Sequence, residues 1–194
     1  KHGVVILAQF SDIGFEFERN DFVALLTQDG YSRNGAEGSA KEYFEEQFGG
    51  RADFSFDVSE IVTLPGKRAD YGANLPDGED KDPARMIVDA CQAADNDIDF
   101  SLYDDDKDGE IDNVFVFFAG GDEADGAGED CIWSHAWYVH DGAGMSVVLD
   151  GKELNSYACC SELIPNGGDG YFDGTITGIG TFCHEFSHVL GLPD

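Results

Sequence analysis

Basic residues are scarce in this sequence: its 194 residues carry 11 Lys and Arg against 40 Asp and Glu, a formal net charge of −29 at pH 7. A nucleic-acid partner needs a basic footprint that releases the counterions of the phosphate backbone. The cations here are scattered, with Lys67-Arg68 the one adjacent pair. Neither nucleic acid nor an anionic membrane surface is therefore an expected partner. Long apolar runs are missing too; none nears the roughly 20 residues of a membrane-spanning helix, so no membrane span is expected. The five cysteines, Cys91, Cys131, Cys159, Cys160 and Cys183, form no CxxC pair, which argues against a structural zinc cluster. Buried free thiols are the expected state, with one long-range disulfide as the alternative. What the chain does have is apolar content, 42% hydrophobic with 15 Phe. That is enough for one sizeable core, so the acidity belongs to a folded domain spanning residues 1–194 and not to a disordered tail.

Local patterns predict the elements. Residues 4–8 (VVILA) read as a buried strand, followed by a polar, Gly-containing stretch. Ser39 and Glu42 form a capping box that opens a helix over 40–48, before Gly49 and Gly50. The alternation of Phe54, Phe56 and Val58, with a later switch of face, predicts a half-buried strand over 53–64. Pro83 after Asp82 opens a helix over about 83–95. The segment 113–119 (NVFVFFA) is apolar on both faces, as in a central strand. Further strands are expected around 131–139 and 145–158, and a Gly-rich loop over 165–174.

Residues 184–188 read His-Glu-Phe-Ser-His. Histidines four apart on a helix project from one face and can grip one metal ion together. At about 100° per residue from Ile179, Phe182, Cys183, Phe186 and Leu190 cluster within roughly 60° of one direction, while His184 and His188 fall at about 140° and 180°. The greasy stripe packs down and the imidazoles face away. Glu185 sits beside the site as a general base rather than a ligand. Gly191 can end the helix with positive φ, and the chain then turns back to offer Asp194 as a third ligand, giving HExxHxxGxxD. Two imidazoles and one carboxylate leave the open position of a catalytic zinc site, whereas structural sites are usually closed by four protein ligands.

A second constellation lies at Asp104 to Asp112, where DxDxDGxxD has the spacing of a calcium loop. Asp104, Asp106 and Asp108 supply side chains, Gly109 the sharp turn, Glu110 its carbonyl, and Asp112 the ninth position. The twelfth position is Phe115 and not Glu, so the loop is no complete EF-hand. Six carboxylates in nine residues repel one another without a cation. His135, surrounded by Trp133, Trp137 and Tyr138, reads as a packed histidine with a satisfied hydrogen bond; lining a substrate cleft is the alternative. His2 and His140 receive no role.

With GVVILAQFSD near its start, GSAKEYFEEQFGG, DIDFSLYDDDKDGEIDNVFVFFAGGDE, IWSHAW and GIGTFCHEFSHVLGLPD, the chain resembles the immune inhibitor A type of secreted metallopeptidases, bacterial relatives of the metzincin class. The resemblance implies zinc on His184, His188 and Asp194, Glu185 as catalytic base, calcium at 104–112, export from a bacterial cell, and hydrolysis of peptide bonds in protein or peptide substrates. It implies an α/β (α+β) fold: a metzincin-like upper lobe with a twisted mixed sheet, backing helices and an active-site helix, the substrate lying along an edge strand above the zinc. The Met-containing turn and lower lobe of metzincins are missing from these 194 residues, which end at the third ligand. Two other readings compete: a non-catalytic, calcium-stabilised binding or adhesion module on a peptidase fold, and a zinc hydrolase acting on another bond.

Overall fold

The computed structural model describes residues 1–165 and 174–193. In chain order its elements are β1 (His2–Gln9), α1 (Arg19–Thr27), α2 (Ala40–Gln47), β2 (Ser55–Thr63), α3 (Arg68–Gly72), α4 (Pro83–Ala94), β3 (Val114–Gly121), β4 (His135–Tyr138), α5 (Val139–Ala143), β5 (Val147–Leu149), β6 (Lys152–Leu154), β7 (Ser156–Leu163) and α6 (Ile179–Val189). A five-stranded mixed sheet runs β2–β1–β3–β7–β4. β1 is parallel to β2 and β3, and β3 is parallel to β7. β4 pairs antiparallel with β7 and forms an edge of the sheet.

Side chains of the central strands alternate between two cores, as the pleat requires. Val4, Ile6, Val114, Val116 and Phe118 pack with Met86, Ile87 and Ala90 of α4 on one face. Val5, Leu7, Phe115 and Phe117 pack with Phe22, Phe44, Phe182 and Phe186 of α1, α2 and α6 on the other. Helices on both faces explain why β1 and β3 are apolar on successive residues. The fold is thus a mixed α/β sheet with helices on both faces, the α/β class that the family resemblance implies.

Local predictions meet mixed outcomes. The capping box holds: the Ser39 hydroxyl accepts the Glu42 N–H at 3.4 Å, and the Glu42 carboxylate accepts the Ser39 N–H at 2.8 Å. The switch of face in β2 is a bulge, since Val5 pairs with Val58 but Leu7 with Ile61. There the Ser59 hydroxyl accepts the Leu7 N–H at 3.0 Å. The stretch after β1 is not all irregular, because Phe22, Leu25 and Leu26 of α1 bury completely against the sheet. The strand expected over 145–158 is three strands, broken by a turn at Asp150 and Gly151, which have φ of 48° and 79°. Of 131–139, only 135–138 is strand. The loop expected over 165–174 falls mostly outside the described residues. All five cysteines are buried free thiols, and burial pushes every one of their pKa values up.

Glu162, near the end of β7, is completely buried. Its carboxylate accepts the N–H groups of Glu16 at 2.6 Å, Phe17 at 2.8 Å and Gly120 at 3.2 Å, clamping the segment before α1 to the end of β3. Burial pushes its pKa up to about 7, with the three N–H donors pulling the other way. A carboxyl raised in the folded state holds its proton while the unfolded chain has lost it, so folded stability falls as pH rises between the ordinary carboxylate range and about 7. The stability of the parent relative to Glu162→Gln, which cannot ionise, is expected to drop by on the order of 3 kcal/mol across that window. Denaturant titrations of both proteins at several pH values test this, and a difference independent of pH would contradict it.

Candidate metal centre and the clefts beside it

α6 is fixed in rotation by aromatic packing. The Phe182 ring centroid lies 4.5 Å from Phe115 and 5.3 Å from Phe56, and that of Phe186 lies 5.3 Å from Phe56 and 5.5 Å from Phe44. With Phe182, Cys183 and Phe186 buried, the predicted opposite face carries His184 and His188. Their ring centroids are 4.9 Å apart, edge to face. The two imidazoles and the Glu185 carboxylate present nitrogen and oxygen atoms that all lie within 4.8 Å of one another. Within that group His184 is 60% exposed and Glu185 10%, with 3.9 Å between His184 Nε2 and Glu185 Oε1. Such an arrangement exposes the His184 imidazole to solvent while shielding the carboxylate.

Helix α6 ends in a Schellman turn. Leu192 N–H donates to the Ser187 carbonyl at 3.0 Å and Gly191 N–H to that of His188 at 2.8 Å, with Gly191 at φ 85°, a conformation that favours glycine. The turn brings the Leu192 carbonyl to 2.9 Å from His188 Nδ1. A carbonyl only accepts, so Nδ1 carries the hydrogen and the lone pair of the neutral ring falls on Nε2. Sequence reasoning missed this orienting contact because it is made by backbone, whose identity no motif records. Asp194 lies outside the described residues. The donors that are described, two imidazoles on one helix face with the His188 lone pair on Nε2, fit two of the ligands of a zinc ion.

The acidic loop is also assembled. Carboxylate oxygens of Asp104, Asp106 and Asp108 lie within 4.8 Å of one another, and Gly109 has φ 98°. The Glu110 N–H donates to Asp108 at 2.8 Å, while Asp112 turns its carboxylate to the Asp105 N–H at 2.7 Å. Burial raises the Asp112 pKa. Lys152 contacts the Asp104 carboxylate and lowers its pKa. Backbone bonds from Ile111 N–H to the Glu153 carbonyl at 2.8 Å and from Glu153 N–H to the Gly109 carbonyl at 2.9 Å staple the loop to β6.

Edge strand β4 borders two clefts. One, of about 360 Å³, runs between β4 and the end of α6, with His188, Leu192, Tyr138 and Ser156 in its lining. The other, of about 600 Å³, includes His135, Trp137 and Tyr157, and Tyr157 belongs to the core on the α4 face. His135 has both nitrogens engaged, Nδ1 with the Trp133 carbonyl at 2.7 Å and Nε2 with the Tyr157 hydroxyl at 2.9 Å. It is the satisfied histidine of the favoured reading and a cleft-lining residue as well. Burial lowers its pKa. His2 and His140 hydrogen-bond to the carboxylates of Asp57 at 2.7 Å and Glu153 at 2.9 Å and do not line either cleft.

Residues 9–194 match the model of the immune inhibitor A peptidase M6 catalytic domain. Immune inhibitor A of Bacillus thuringiensis subsp. alesti is 35% identical over 181 aligned positions, covering 79% of this chain and 25% of that protein. The pre-pro-metalloprotease PrtV of Vibrio cholerae serotype O1 is 31% identical over 207 positions, covering 92% of this chain and 21% of its own length. The chain thus spans about a quarter or less of the curated relatives it matches. It belongs to the immune inhibitor A peptidase family M6, within the catalytic domain of that family.

Proposed function

We propose that this chain carries the metal-binding part of a zinc-dependent endopeptidase, with zinc on His184, His188 and Asp194 and Glu185 as general base. The observation that carries the reading is the pair of imidazoles on the outward face of α6 with the shielded Glu185 carboxylate beside them. When bound, zinc acidifies water and polarises the scissile carbonyl. Glu185 accepts the proton of the water whose oxygen adds to the carbonyl carbon, then donates it to the leaving amine as the C–N bond breaks. The Leu192 carbonyl holds the His188 ring in the ligating tautomer. A peptide substrate in extended form adds to the open edge of β4, which brings its backbone over the cleft lined by His188. Action outside a bacterial cell is supported by the relative named as a pre-pro-metalloprotease.

Calcium at 104–112 is part of the same proposal, supported by the three converging carboxylates and by the repulsion they would otherwise suffer. Glu110 contributes its carbonyl, and Asp112 braces the loop through Asp105.

In the intact, zinc-loaded protein Glu185→Ala is expected to retain its metal and lose at least about a hundredfold in peptide hydrolysis; undiminished hydrolysis would contradict the assignment. For calcium, the measurement is the melting temperature of metal-stripped His188→Ala protein, whose zinc site is crippled. Restoring calcium at about a hundredfold excess over Kd adds about 2.7 kcal/mol, whereas an unchanged melting temperature would remove calcium from the account.

A further inference from the structure

The larger cleft, about 600 Å³, has no part in the chemistry above. Three carboxylates reach it, from Glu79, Asp80 and Glu123, and the indoles of Trp133 and Trp137 wall it. Both tryptophans are more than half exposed. Among the described residues Lys81 is the one cation in the lining, and its ammonium lies 3.9 Å from Asp70, which is outside the cleft. His135 brings no charge, since burial disfavours its protonation and both its nitrogens are engaged. Asp80 accepts the Trp133 N–H at 3.0 Å and Glu123 accepts from Asn74 Nδ2 at 2.7 Å, so their neighbours hold them in place without neutralising them. Burial pushes the Asp80 pKa up to about 6, and Glu123 and Asp122 add to the rise. A cation entering this space would meet carboxylates and aromatic side chains together, while its aliphatic stem covers indole surface.

The position of the cleft says which cation. A peptide paired to an edge strand puts alternate side chains on opposite faces of the sheet. Side chains on the α6 face of β4 meet His188, and those on the other face pass over the larger cleft, which shares Ala136, Trp137 and Tyr157 with the smaller one. Resting on the peptidase reading, we infer that the larger cleft is a specificity subsite for one Lys or Arg side chain of the peptide substrate, held by Asp80, Glu123 and Glu79 between Trp133 and Trp137. General attraction by the acidic chain differs from this, because it acts at every substrate position and is screened by salt. The subsite acts at one position.

The test uses the intact, zinc-loaded protein and fluorogenic peptides identical except for Lys or norleucine at each position in turn around the scissile bond. One position is expected to favour Lys by at least about tenfold in kcat/KM, chiefly through KM, as a partly desolvated cation site allows. The double variant Asp80→Asn/Glu123→Gln keeps the acceptor oxygens and should abolish the preference, so that the Lys and norleucine peptides are cleaved at equal kcat/KM by the same variant. Glu79→Gln, at an exposed residue, should lower the preference at least about threefold without risk to the fold. An equal preference at all positions, or one that survives both variants, overturns the subsite while leaving the peptidase reading standing. If the parent cleaves neither peptide, it is the peptidase reading that fails. The cleft is then judged by fluorescence anisotropy on Glu185→Ala protein, where tighter binding of the Lys peptide supports it and equal binding overturns it.

Discussion

The packing of Phe182 and Phe186 into the aromatic layer of Phe44, Phe56 and Phe115 is the interaction on which the rest of the site depends. It sets the rotation of α6 about its own axis. Because residues four apart share a face, one rotational setting presents both imidazoles outward and keeps Glu185 against the protein. Burying two phenylalanines also removes much apolar surface from water, about 1.5–3 kcal/mol for each side chain. The force that stabilises the helix is therefore also the force that aims its two imidazoles.

Charge imposes the second constraint. With 40 acidic residues against 11 basic ones, carboxylates gather wherever loops converge, and each gathering needs an answer. Glu162 finds three backbone N–H donors, and Asp104 finds Lys152. At the 104–112 loop and at the cleft beside β4, acidic side chains outnumber basic ones among the described residues, and the proposals above place an external cation at each. The loop, with oxygens converging around a tight turn, suits a metal ion. The cleft, wide and walled by indole, suits an organic cation.

Legibility from sequence followed the range of the interactions. Motifs closed within one turn of chain were readable, because all of their partners lie in the same few residues: the Ser39–Glu42 box, the HExxH face of α6, and the Gly191 turn with its positive φ. Helix α1 was not readable, since its N-cap is Glu18, an uncommon capping residue, and its apolar face shows only once the sheet is present to bury Phe22, Leu25 and Leu26. The hairpin between β5 and β6 was legible in principle, because Asp150-Gly151 is a typical two-residue hairpin sequence and both residues take positive φ, but a single strand over 145–158 passes over that signal. The larger cleft was beyond reach, because Asp80, Glu123 and Trp137 come from three distant parts of the chain. Its one visible sign was His135 among aromatics, a pattern that packing alone also produces.

The central claim is that α6 holds a zinc ion through His184 and His188. Elemental analysis of zinc per chain, on the intact protein and on His188→Ala after identical dialysis, addresses it most directly. The account predicts about one zinc in the parent and next to none in the variant, because a lost imidazole removes one of three ligands. Equal zinc in the two proteins, or none in the parent, would contradict it.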